Sequence, residues 1–193
     1  LGTNMHLCAT GIAAATFYTA AYAAMNVGIF ALVTIAGGYN DERPLIADYK
    51  GLIYRSPLLG SLIIFFLISL IGIPFTGGFF GKFYSFTAAV GGGAVILAII
   101  GLLNSGLAAA YYLRLAFAVA QRPDDEAQIS RLPITRAGLG IITALAFATI
   151  ATLALGIVPG GALHAAETGA HTLQPIPTSP EAPAEITVTH TNP

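Results

Sequence analysis

Residues 57–90 form an apolar run of 34 positions interrupted by a single charge, Lys82. No other feature restricts the fold so tightly. A helix of that length measures about 50 Å, whereas the hydrocarbon core of a bilayer is about 30 Å thick. One straight crossing is therefore too long, and the run has to be broken, tilted or left overhanging. Pro74 removes a backbone donor and clashes with the preceding turn, while Gly72, Gly77 and Gly78 permit non-helical dihedrals. These residues place the break near residues 72–78. Unpaired backbone at membrane depth persists only where it is buried in protein or lines water, and an ammonium group there is a functional-site hypothesis by default. A proline kink satisfied by neighbouring helices is the alternative; Lys82, just beyond the glycines, favours a functional break.

Composition agrees that much of the solvent is lipid: 55% of the residues are hydrophobic and 9% are charged. Three further stretches are long enough to span, roughly 7–36, 94–120 and 137–158. The reading is an all-α integral membrane bundle with four transmembrane spans over residues 1–158, the second broken. After residue 158 the chain changes character, with Pro175, Pro177, Pro180, Pro183 and Pro193 mixed among Thr, Ala and Glu. Residues 159–193 are read as a disordered Pro/Thr-rich tail. His164, His171 and His190 in it are spaced too widely for a helical metal-ligand pair.

Basic residues give the orientation. Arg43, Lys50 and Arg55 fall in loop 39–56, and Arg122, Arg131 and Arg136 in loop 121–136. The start of the chain, the turn at 91–93 and the tail contain no Lys or Arg. Short cytoplasmic loops are enriched in Lys and Arg, so the two loops are expected in the cytoplasm and both ends of the chain on the outer side, the periplasm in a bacterium. No signal peptide is expected, because no basic segment precedes the first apolar run. The chain begins at Leu1, not Met, and is read as a piece of a longer protein.

A net charge of −1 gives no electrostatic reason to expect nucleic acid or an acidic substrate. One cysteine, Cys8, rules out an internal disulfide and a Cys-x-x-Cys metal or redox motif. The segment before Lys82 fails the phosphate-loop pattern, since Thr76 stands at its first glycine and Phe83 follows the lysine. No dinucleotide fingerprint occurs either, so no metal or bound cofactor is expected in the chain itself.

Burial disfavours the charged form of an amine and can bring its proton into exchange near physiological pH. Lys82 is therefore the candidate proton relay. Hydroxyl and amide side chains that both donate and accept can extend a path to it. Ser69, Thr76, Tyr84 and Ser85 on the same run, and Asn104 and Ser105 on the third, are the candidate lining. Asn104 and Ser105 equally suit hydrogen bonds across a helix interface. Tyr111, Tyr112 and Arg114 suit an aromatic belt and a snorkelling arginine. Tyr18, Tyr22 and Asn26, four residues apart, share a helix face that a partner-helix contact explains.

The run Ser69-Leu70-Ile71-Gly72-Ile73-Pro74-Phe75-Thr76-Gly77-Gly78-Phe79-Phe80-Gly81-Lys82-Phe83-Tyr84 resembles the antiporter-like subunits of the proton-pumping NADH-quinone oxidoreductase, complex I. Asp48 to Leu52, Arg55-Ser56-Pro57 and Tyr22 to Phe30 also resemble the subunit N family, and the Leu103-Asn104-Ser105 and Tyr111-Tyr112-Leu113-Arg114 elements tilt the likeness to it within that superfamily. The likeness runs from about residue 11 to 158. It implies the last four helices of a fourteen-helix subunit, with Lys82 as the lysine of the second proton half-channel. It also implies that the N-terminal part of the subunit is missing here, and that NADH, FMN, iron-sulfur clusters and quinone belong to partner subunits of complex I. Two other readings are a subunit of a multi-subunit sodium/proton antiporter, which carries a similar motif, and a purely structural membrane fragment.

Overall fold

The structure, a computed structural model, describes residues 2–37, 45–122 and 137–172. Helix α1 (Gly2–Gly37) is followed by a 3-10 turn (Ile46–Tyr49), a short α2 (Leu52–Arg55) and two half-length helices, α3 (Pro57–Ile71) and α4 (Gly77–Gly91). Then come α5 (Val95–Ala120), α6 (Leu139–Ile157) and α7 (Pro159–Thr172). Among the described residues three segments are long and apolar enough to cross a membrane: Thr10–Gly37, Val95–Ala120 and Leu139–Ile157. Helices α3 and α4 have 15 residues each. At about 22 Å, neither reaches across alone.

Local chemistry explains the division. Pro57 opens α3 at its first helical position, where the missing N–H costs nothing. Gly72 closes it in the left-handed conformation, φ 89°, with its amide donating to the carbonyls of Ile68 and Ser69. Pro74 follows two residues later. Thr76 then caps α4: its hydroxyl accepts from the Phe79 amide at 3.4 Å and donates to the Ile73 carbonyl at 2.7 Å. Between the caps, Phe75 has φ 68°, the single positive value at a non-glycine among the described residues. The non-helical stretch is thus residues 72–76.

This narrows the expected break, because Gly77 and Gly78 belong to the first turn of α4. Their role is steric. A side chain on Gly78 would collide with the Ser69 carbonyl oxygen of α3, and one on Gly77 would stand 3.2 Å from Leu155 Cβ of α6. Gly156 of α6 reciprocates, since a Cβ there would lie 2.7 Å from the Phe75 carbonyl oxygen. Three helices therefore meet almost backbone to backbone around the break. Such small-residue contacts are how helices gain dispersion energy where lipid removes the hydrophobic incentive to associate.

Helix α1 is the axis of the bundle, packed against α3, α4, α6 and α7. Its Phe17, Met25 and Leu32 are buried, with Ile63, Phe66, Leu67 and Leu70 of α3 and Val119 of α5. By contrast, Ile96, Leu103 and Leu107 of α5 and Phe147 and Ile150 of α6 are widely exposed, as suits side chains facing lipid.

The beginning of the tail departs from expectation. Residues 159–172 are helical, with Ala170 buried, and this helix packs on α1. Pro159 opens this helix, where the missing N–H costs nothing, and the next proline is Pro175; residues 160–172 include four alanines. Nothing there breaks a helix once α1 offers a face to pack on. Residues 173–193, including His190, and Arg43, Arg131 and Arg136 in the loops lie outside the described residues.

Candidate functional site

Lys82 sits in the second turn of α4 and reaches back across the break. Its Nζ donates to the carbonyls of Leu70 at 2.8 Å and Ile71 at 2.9 Å. These carbonyls belong to the last turn of α3, where no further amide of the helix is available to them and the helix dipole is negative. The lysine stem lies over Gly72, whose added Cβ would be 3.4 Å from Lys82 Cδ. An ammonium has three donors, so one remains for another partner. Among the described residues the acidic side chains are Asp48 and Glu167. The Asp48 carboxylate accepts from the Leu45 amide at 2.9 Å, and Glu167 faces His164 on α7 at 3.9 Å. Lys82 is thus bonded by backbone carbonyls, with neither of these carboxylates on the wall of its cavity.

That cavity, about 370 Å³, lies between α1, α4 and α5. Its polar lining is Tyr18, Thr19, Tyr22, Lys82, Ser85, Asn104 and Ser105. At about 30 Å³ per molecule it has room for roughly ten waters, and its donors and acceptors are of the kind that hold water. Three expected lining residues, Ser85, Asn104 and Ser105, are therefore brought together with Lys82. The Ser85 hydroxyl is buried with no partner inside the described protein.

The other three expected residues lie elsewhere. Ser69 is fully buried in α3, its carbonyl beneath Gly78 and its hydroxyl unpartnered. Thr76 is spent on capping α4. Tyr84 turns to another face of α4, its ring edge-on to Phe17 at 5.6 Å and stacked with Phe80 at 6.1 Å. Tyr18 and Tyr22, read from sequence as a packing pair, are instead on the cavity wall. Their ring centroids are 4.6 Å apart. The signal was present in their shared helix face. Thr152 of α6, buried and unpartnered beside Gly77, was not singled out.

The model of the family described as NADH:quinone oxidoreductase/Mrp antiporter, TM, matches residues 1–108. "NADH-quinone oxidoreductase subunit N 1" of Solibacter usitatus is 42% identical over 165 residues, covering 86% of this chain and 33% of that protein. "NADH-quinone oxidoreductase subunit N" of Trichlorobacter lovleyi is 36% identical over 159 residues, covering 82% of this chain and 32% of that protein. For "NADH-quinone oxidoreductase subunit N 2" of Koribacter versatilis the identity is 46% over 114 residues, covering 59% and 22%. The chain thus spans at most about a third of the length of these curated relatives. With helices of membrane-spanning length and the matched region extending from α1 into α5 through the broken segment, the chain belongs to the NADH:quinone oxidoreductase/Mrp antiporter transmembrane family.

Proposed function

We propose that this chain is the C-terminal part of a proton-translocating subunit of NADH-quinone oxidoreductase, in which Lys82 takes up and gives back a proton as quinone reduction elsewhere in the complex proceeds. The observation that carries the reading is the bonding of Lys82 to the Leu70 and Ile71 carbonyls beside a polar cavity. Carbonyls and water stabilise an ammonium without the full opposite charge that would fix it in that form. Ser85, Asn104, Ser105, Tyr18 and Tyr22 offer groups between which a proton can be handed on.

In this account α3 and α4 together make the second of four crossings of a bacterial inner membrane. Loops 39–56 and 121–136 are cytoplasmic and both ends periplasmic, as the Lys and Arg distribution indicates. NADH, FMN, iron-sulfur clusters and quinone are held by partner subunits, and the other membrane subunits and the rest of this subunit complete the path. A sodium/proton antiporter subunit is the second reading, because the matching family includes both kinds of protein.

The test is proton pumping by the complete complex in liposomes. Lys82→Met lowers the number of protons moved per electron pair, and Lys82→Arg, whose guanidinium does not deprotonate, fails to restore it. Full stoichiometry in both variants overturns the proposal. Sodium-dependent transport uncoupled from quinone reduction favours the second reading.

A further inference from the structure

Toward the C-terminal end of α5 a second cavity, about 430 Å³, opens between that helix and the segment around the 3-10 turn. Lys50 and Arg114 line it, with Ile46, Phe117 and Ala118 as its apolar floor. The two cations are on elements fastened together, because the Gly51 amide donates to the Ala118 carbonyl at 3.1 Å.

Arg114 also continues an exposed stripe. Leu103, Leu107, Ala110, Arg114 and Phe117 recur at intervals of four and three, which places them on one face of α5, and all five are exposed. From Leu103 to Arg114 the helix rises about 16 Å, close to the hydrocarbon depth of one leaflet, about 15 Å. A basic pocket with a leaflet-long apolar track beside it is complementary to an amphipathic anion. A soluble anion would use the charges and leave the track bare.

We propose that this cavity binds the phosphodiester headgroup of an anionic phospholipid, one acyl chain lying along the Leu103 and Leu107 track. The guanidinium fork of Arg114 matches phosphate oxygens, and Lys50 adds a point charge. Basic pockets between transmembrane helices are suited to such headgroups. The site is separate from the Lys82 cavity and does not depend on proton relay.

The experiment uses the complete subunit in its complex, stripped of lipid in detergent. It is then titrated with phosphatidylglycerol vesicles, phosphatidylcholine vesicles or inorganic phosphate, reading the thermal midpoint and the lipids retained in native mass spectrometry. Phosphatidylglycerol raises the midpoint, and the other two do not. The Lys50→Gln, Arg114→Gln double variant loses that shift, binds at least about tenfold more weakly and retains one anionic lipid fewer. Arg114→Lys, which keeps the charge and loses the fork, weakens the shift without abolishing it, and Leu107→Gln weakens it with both charges in place. An equal response to inorganic phosphate or to phosphatidylcholine, or unchanged retention in the double variant, overturns the proposal. If the double variant does not assemble, phenylglyoxal labelling of Arg114 in the wild-type complex decides. Protection by phosphatidylglycerol but not phosphatidylcholine supports the site, and any other pattern contradicts it.

Discussion

Lys82 and Arg114 are both cations carried by apolar helices, yet the two helices treat them differently. Helix α5 runs unbroken for 26 residues, so its own amides take up its carbonyls through most of its length, and Arg114 stays exposed near one end. The α3–α4 run is cut at residues 72–76, and the freed carbonyls of Leu70 and Ile71 draw Lys82 inward. A cation is held in the interior of the bundle only where the backbone has given up part of its own hydrogen bonding. The break is therefore the device that lets a half-buried amine be bonded between helices, and Arg114 shows where a cation goes without one.

That contrast can be broken most forcefully at Gly78. Replacing it with Val drives two methyl groups toward the Ser69 carbonyl, and the junction loses about 3 kcal/mol, a typical upper cost of overpacking. Thermal unfolding of the purified complex and its subunit content would show this; a normally assembled Val variant would mean that the close approach is not required. Next comes Gly72→Ala, which puts a side chain on a residue at φ 89° and costs about 1–2 kcal/mol. That Cβ would stand at ordinary contact distance, 3.4 Å, from the Lys82 stem, so pumping should fall in step with the stability loss and no further.

Asn104→Leu leaves the break intact and removes a polar side chain from the wall of the cavity that Lys82 lines. Turnover should fall severalfold, with the complex fully assembled, in a coupled quinone-reduction assay. Thr76→Ala removes the cap of α4 at a cost of about 1 kcal/mol, visible as a lower thermal midpoint. The smallest effect is expected on the unbroken helix: Arg114→Lys keeps an exposed charge and shifts stability by less than about 0.5 kcal/mol. If that exchange were as costly as Gly72→Ala, the distinction between the two cations would fail.

The break itself was legible because its main causes are local: Pro74 lacks a donor wherever it sits, and Gly72 suits a left-handed cap. Gly77 and Gly78 looked like more of the same, but their reason is tertiary, namely the Ser69 carbonyl on one side and α6 on the other. Nothing within their own stretch of sequence states that. Ser85, Asn104 and Ser105 stood out as polar groups in apolar helices, and the fold brings them to Lys82. Tyr18 and Tyr22 did not, because a phenol serves packing and proton exchange equally well and only the position of α1 beside α4 and α5 assigns these two to the cavity. Ser69, Thr76 and Tyr84 share a run with Lys82 without sharing its face. Residues 159–172 were read by the company of the prolines that follow them, although their own alanines permit a helix that α1 then holds.

The central claim is that the amine of Lys82 changes protonation during turnover. Infrared difference spectroscopy of the complete complex with isotopically labelled lysine, triggered by NADH, tests this most directly. The account predicts a lysine-specific ammonium band that appears or disappears on reduction and is missing in Lys82→Arg. A spectrum with no lysine signal, or one that persists unchanged in the arginine variant, would contradict it.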